Sequence, residues 1–264
     1  MPTLSNFVSI ITRVLPEPHA GLLAGILFGT KTSISTDLYD ALVITGTLHI
    51  AALSGMNITI LTKLFFSAFL RLLPRWASSI LTIGVIVGFV FFVGPSPSII
   101  RAAIMGSITI VAPLTGRMKT ALITWGITIA SMLLVQPSLI GNLSFQLSAL
   151  ASFGMILFGK KNVNEKGILS FVKEELTTTL SAQVFTIPLI LLTFGRISLI
   201  APLTNVLIGW TIPIITTLGL CVSIFGWIWL PLGKILAWVT WVFLEWLIQA
   251  VIITSRIPFA SIGK

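Results

Sequence analysis

The sequence predicts an all-α, polytopic transmembrane helical bundle with broken or re-entrant helices, and three observations carry that expectation. Of the 264 residues, 56% are apolar and 9% charged, with a mean hydropathy of +1.08, whereas a soluble domain is about a quarter charged. The apolar residues form continuous runs, not alternating ones; runs of about 20 residues suit helices crossing a hydrocarbon core, and lipid admits only segments whose backbone amides are all paired. Several runs are interrupted by Gly, Pro and polar residues, which at membrane depth is tolerated only where backbone is buried in protein or lines a cavity. The same composition excludes a soluble enzyme with one buried core.

Taken in order, residues 1–18 are a short N-terminal lead with Pro16 and Pro18, and residues 19–29, HAGLLAGILFG, form a helix too short to span comfortably. That helix is expected to be interfacial or re-entrant; with no small-residue cleavage site after it, it reads as retained and not as a signal peptide. From Ala41 to Leu73 the chain stays largely apolar, which as one helix would be roughly 50 Å long against a core of about 30 Å. A break is therefore expected, and Ser54 and Gly55 supply it. Further spans are expected at 76–94, 98–116, 119–136, 142–159 and 176–195. Residues 198–226 hold Pro202, Asn205 and Pro213 and read as one kinked helix or two half-helices; a last span covers about 234–253. The strongly hydrophilic segment is KKNVNEKG at 160–167, extending to Lys173, Glu174 and Glu175. No repeat, linker or second domain is evident, so 1–264 reads as a single membrane domain.

A net charge of +9 would ordinarily suggest a polyanionic partner. Its distribution gives another reason. Arg71 and Arg75, then Arg117 and Lys119, then Lys160, Lys161, Lys166 and Lys173 mark alternate loops, while GPSPS and QPSLIGN carry no Lys or Arg. Basic loops face the cytoplasm, so topology accounts for most of the charge.

Polar side chains at membrane depth are costly and are functional candidates by default. Thr47, Ser54 and Asn57 fall along one helix face with His49 beside them, although hydroxyls bonding to backbone carbonyls and Gly permitting close packing would explain the same pattern. Arg101 lies one turn into a span, where a snorkelling side chain is the plain alternative. Asn142, Ser144, Gln146, Ser148, Ser152, Ser181 and Gln183 populate two consecutive spans, as helix–helix hydrogen bonding would also require. In the last span Lys234, Trp238, Trp241, Glu245 and Gln249 follow one stripe, and Glu245 calls for a cation such as Arg101 or Lys234.

Only His19, His49 and Cys221 are available as His or Cys ligands, too few for a conventional zinc site, and Cys221 has no intrachain disulfide partner. No GxxxxGK[ST] loop is present. Neither metal nor other cofactor is expected, and any ATP-driven motor would be a separate cytoplasmic chain.

Read together, the segments GLLAGILFG, TGTLHIAALSGMNITIL, PSPSIIRAAIMG, QPSLIGNLSFQLSALASFGMILF and AQVFTIPLILLTFGRISLIAPLTNVLIG resemble, in order, the competence domain of the ComEC DNA-uptake channel family, from about residue 20 to 260. The resemblance implies a multi-pass protein of the bacterial plasma membrane that passes single-stranded DNA during natural transformation. It also implies partners: the lipid bilayer, separate competence proteins, a nuclease, a motor, and a second copy of the chain. By motif it carries over His49, Ser54, Gly55 and Asn57, then Arg101, then Asn142, Gln146 and Ser148, then Gln183, Pro188 and Asn205, as pore-lining or pore-shaping positions. Glu245 joins them as a candidate on its depth alone. Family members also carry an oligonucleotide-binding-like domain and a metallo-β-lactamase-like domain; this sequence resembles the permease core alone, and no enzymatic activity is expected of it.

Two other readings compete. A small-molecule or ion transporter would also use broken helices with polar groups at mid-depth, but no inverted repeat is visible. An intramembrane hydrolase using Ser54 and His49 fares worse: the two are about 140° apart around a helix, and a nucleophile must meet its base.

Overall fold

The computed structural model of the protein describes residues 3–30, 34–51, 53–115, 120–159 and 167–263. Arg117, Lys119, Lys160, Lys161 and Lys166, on which much of the orientation argument rests, lie outside the described residues, as does most of the hydrophilic segment. The described residues form a helical membrane bundle of twelve α-helices: α1 Leu4–Val14, α2 His19–Phe28, α3 Thr36–Ile44, α4 Gly55–Leu70, α5 Arg75–Val93, α6 Pro97–Val111, α7 Ala121–Val135, α8 Leu143–Phe158, α9 Ile168–Phe194, α10 Ala201–Ile208, α11 Thr211–Ile228 and α12 Leu230–Ser255. Strands β1 (Arg196–Ser198) and β2 (Ser261–Gly263) pair antiparallel, a short ladder that the apolar runs did not signal. Among the described residues, five segments are long and apolar enough to cross a membrane: Arg75–Val93, Pro97–Leu114, Leu169–Phe194, Thr211–Ile228 and Leu230–Ser255.

The helices cluster into two compact units. The first comprises Met1–Leu53, Lys160–Leu180 and Ile187–Lys264; the second comprises Ser54–Gly159 and Ser181–Thr186. The first unit is built around α2, whose ten residues are all buried. That placement corrects the interfacial expectation: a Gly/Ala/Leu helix with no polar face has nothing to offer water and is stable only when enclosed. Helices α1, α11 and α12 enclose it. A Cβ at Gly219 would lie 2.6 Å from Leu23 Cδ1, and one at Gly233 would lie 2.5 Å from Gly226 Cα. Glycine therefore sets both the approach of α11 to α2 and the closeness of the α11–α12 hairpin.

Three boundaries differ from expectation for physical reasons. The lead is not irregular, because Leu4–Val14 buries Ile10 and Ile11 as a helix. Helix α9 begins at Ile168, so Lys173, Glu174 and Glu175 belong to a helix instead of prolonging the hydrophilic loop. Charged straight-chain residues favour helix, and a helix of about 40 Å outlasts the roughly 30 Å core. The interruption in the 41–73 run is longer than Ser54 and Gly55. It opens at Gly46, whose φ of +68° ends α3, with the Thr47 amide donating to the Leu42 carbonyl at 2.9 Å and the Gly46 amide to Val43 at 3.1 Å. A left-handed glycine satisfying the last carbonyls is a common helix stop. The chain resumes helix at Gly55, one residue after it passes from the first unit to the second.

Gly46 also faces Ser198 and Ala201, whose Cβ atoms lie 3.0 and 3.2 Å from the place a Gly46 Cβ would occupy. Gly46→Ala adds left-handed strain of about 1–2 kcal/mol to that contact. The variant is expected to melt several degrees below the parent in detergent, as followed by circular dichroism.

Residues 198–226 resolve as two half-helices, α10 and α11, parted at Gly209 and Trp210. The indole N–H groups of Trp210 and Trp246 both donate to the Leu207 carbonyl, each at 3.0 Å. One of the carbonyls freed at a helix end is thus satisfied without water.

Candidate functional site

The second unit gathers the largest group of sequence candidates, and it does so around Arg101 on α6. Helix α6 starts at Pro97, a residue suited to the first turn because its missing N–H is not needed there, and this puts Arg101 just over one turn inside an apolar helix. Its Nη1 donates to the main-chain carbonyl of Ser148 and, at 2.5 Å, to Ser152 Oγ. Ser152 Oγ in turn accepts from Trp125 Nε1 at 3.1 Å and has the Ser148 and Ala149 carbonyls at 3.0 and 2.9 Å. A row of aromatic contacts continues through Phe153, 4.9 Å from Trp125, to Phe185 at 5.2 Å.

No carboxylate pairs with Arg101 among the described residues, and its Nε has no hydrogen-bond partner. A charge held by neutral oxygens alone keeps its full attraction for an anion, amplified where water is scarce. The start of α4 lies beside it. A Cβ at Gly55 would be 3.3 Å from Arg101 Nη2 and 3.1 Å from Ala102 Cβ, so glycine is what lets this first turn approach the guanidinium. Ser54 is the residue before that turn, in extended conformation with its side chain unused as a cap. Asn57, on the same turn, is buried. The positive end of α4 and the Arg101 guanidinium therefore lie together, which is favourable only toward negative charge.

Two candidates have local structural work instead. Asn142 Oδ1 accepts from the Phe145 amide at 3.1 Å and caps α8, and Gln146 Nε2 donates to the Ile140 carbonyl at 2.6 Å. Asn142→Ala is expected to lower stability by about 1 kcal/mol, whereas Asn142→Ser restores a cap of similar strength. Denaturation in detergent and transformation frequency, measured on both variants, separate a cap from a residue that contacts cargo. Gln183 is half-buried on α9, and Pro188 lies within that helix, exposed.

The first unit holds the remaining candidates. His49 is exposed and folds back on its own loop, Nδ1 lying 3.0 Å from the Gly46 carbonyl. Asn205 on α10 donates from Nδ2 to Thr179 Oγ1 on α9 at 3.2 Å. Glu245 is paired with neither Arg101 nor Lys234: its Oε2 meets His19 Nε2 at 2.6 Å, and its Oε1 accepts from Gln249 Nε2 at 2.7 Å. His19 is buried at the start of α2, its ring 5.4 Å from Trp241. Sequence reading missed this pair because the partners are 226 residues apart; it also missed Trp125 and Glu175, which no motif marked. Among the described residues no group of three or more His, Cys, Asp or Glu could hold a metal.

A family model described as competence protein matches residues 26–263. ComE operon protein 3 of Bacillus subtilis (strain 168) is 27% identical over 207 residues, covering 76% of this chain. The chain spans about a quarter, 26%, of that relative's length. No solved structure matches.

Proposed function

Because the chain belongs to the competence protein family, we propose that it is the conduit through which one strand of incoming DNA crosses the bacterial plasma membrane during natural transformation. The observation that carries this reading is Arg101: a cation inside an apolar bundle, held by a carbonyl and a serine, unpaired with acid among the described residues, and set against the N-terminus of α4. A strand in transit needs its phosphates neutralised or hydrated throughout. Arg101 and the first turn of α4 supply positive potential at one point of such a path, with Ser54 and Asn57 beside it. Glycine at position 55 keeps that approach open.

In this reading the chain makes and breaks no bonds. A motor, a nuclease that removes the second strand and proteins that deliver DNA work with this conduit, which acts alone or as a homo-oligomer. Deleting the gene and following end-labelled duplex DNA tests the proposal. The expected result is that surface binding persists while internalised single strand disappears; normal internalisation in the deletion strain refutes it.

A further inference from the structure

The break between α10 and α11 brings together oxygen atoms that the conduit reading does not use. Glu175 and Thr179 are one turn apart on α9, and Asn205 and Gly209 are one turn apart at the end of α10, so each pair presents one face. Asn205 meets Thr179 through the 3.2 Å hydrogen bond, and Gly209 meets Glu175. The point a Gly209 Cβ would occupy is 2.9 Å from Glu175 Oε2 and 2.8 Å from the Asn205 carbonyl oxygen. Glycine lets the carboxylate rest against this helix end as it stands.

The oxygens gathered here can all accept, and two of them lack a complement among the described residues. Asn205 Oδ1 is buried with no hydrogen-bond donor. Glu175 is half-buried, has no ion-pair partner among the described residues, and has Glu174 as its charged neighbour. The C-terminal end of α10 adds the negative end of its dipole. A buried acceptor without a donor is costly, and a carboxylate without a cation more so. Water could satisfy Asn205 Oδ1, whereas one cation would satisfy Asn205 Oδ1 and the carboxylate together.

We propose that Glu175, Thr179 and Asn205 form a binding site for an alkali-metal cation of sodium size. One carboxylate among neutral oxygens gives the site a single negative charge, matching a monovalent ion; a divalent ion such as calcium takes six to eight oxygens, usually with several carboxylates. Broken helices that present carbonyl ends and a few side-chain oxygens are suited to such an ion. The site does not depend on DNA being the cargo.

The test uses the full chain, purified in detergent, with radiolabelled sodium at constant ionic strength maintained by N-methylglucamine chloride. Saturable binding is expected, weakened at least about tenfold by Glu175→Gln and by Asn205→Ala and unchanged by Glu174→Gln, whose side chain is exposed. Sodium is also expected to raise the melting temperature of the parent but not of Glu175→Gln, a comparison that needs only folded protein. Absence of saturable binding by the parent overturns the proposal, as does binding that survives in both Glu175→Gln and Asn205→Ala. Failure of this experiment leaves the DNA-conduit reading standing, because strand internalisation is measured separately.

Discussion

Arg101→Ala is expected to lower strand internalisation by about 10- to 100-fold while leaving the amount of chain in the membrane unchanged. The magnitude follows from what the side chain does. Its Nη1 is anchored by the Ser148 carbonyl and Ser152 Oγ, which leaves Nε, without a partner, for a phosphate of the strand, and a hydrogen bond to a charged group is worth about 1.5–3 kcal/mol. The positive potential beside Gly55 goes with it, and each 1.4 kcal/mol of lost interaction with the strand is about tenfold. Lysine at this position keeps the charge but is a point donor that cannot reproduce the guanidinium fork, so Arg101→Lys is expected to fall between alanine and the parent. Uptake at the parental rate in Arg101→Ala, at equal membrane levels, would reduce Arg101 to a tie between α6 and α8.

Gly154→Ala is expected to have the largest effect on stability. A Cβ at this position would lie 2.1 Å from the main-chain oxygen of Ser181 and 3.0 Å from Phe185 Cδ2. The oxygen belongs to helix backbone and cannot swing aside, so α8 must move away from this turn of α9 and disturb the Phe153–Phe185 contact. Overpacking of this kind costs typically about 1–3 kcal/mol. Gly84→Ala is the control: it sits within α5 with nothing inside 4 Å of the added carbon, and alanine in a helix interior should be neutral or stabilising by about 0.5–1 kcal/mol. Thermal unfolding of both variants in the same detergent measures the difference, and equal midpoints would contradict the packing described.

Apolar run length placed most of the expected helices to within a few residues, because a hydrocarbon core imposes both length and continuity; α9, which begins at Ile168 and not 176, is the exception. Breakers inside the long runs gave the existence of two interruptions; they were less informative about extent. Gly46 ends α3 because of a left-handed turn, and a turn conformation is not written in hydropathy. Helix α2 was harder still, since a short apolar helix looks the same whether it lies at an interface or at the centre of a unit. Among the polar candidates, Arg101, Ser148 and Ser152 were visible and are brought together. Their alignment depends on how α6 crosses α8, which no local pattern encodes. Asn142 was visible too, but as a motif residue and not as the helix cap its spacing to Phe145 makes it. The Glu245–His19 pair joins helices at opposite ends of the sequence and the Asn205–Thr179 pair joins successive helices, and polarity alone could nominate one member of each but not name its partner.

The proposed conduit takes DNA past the start of α4, and a photoreactive amino acid placed at Ser54, in cells importing labelled DNA, reports whether it does. Illumination is expected to join the chain to single-stranded DNA from position 54, and not from Phe91 on α5, which is 78% exposed and faces lipid in this account. Crosslinks of equal yield from both positions, or none from position 54 while import proceeds normally, would contradict it.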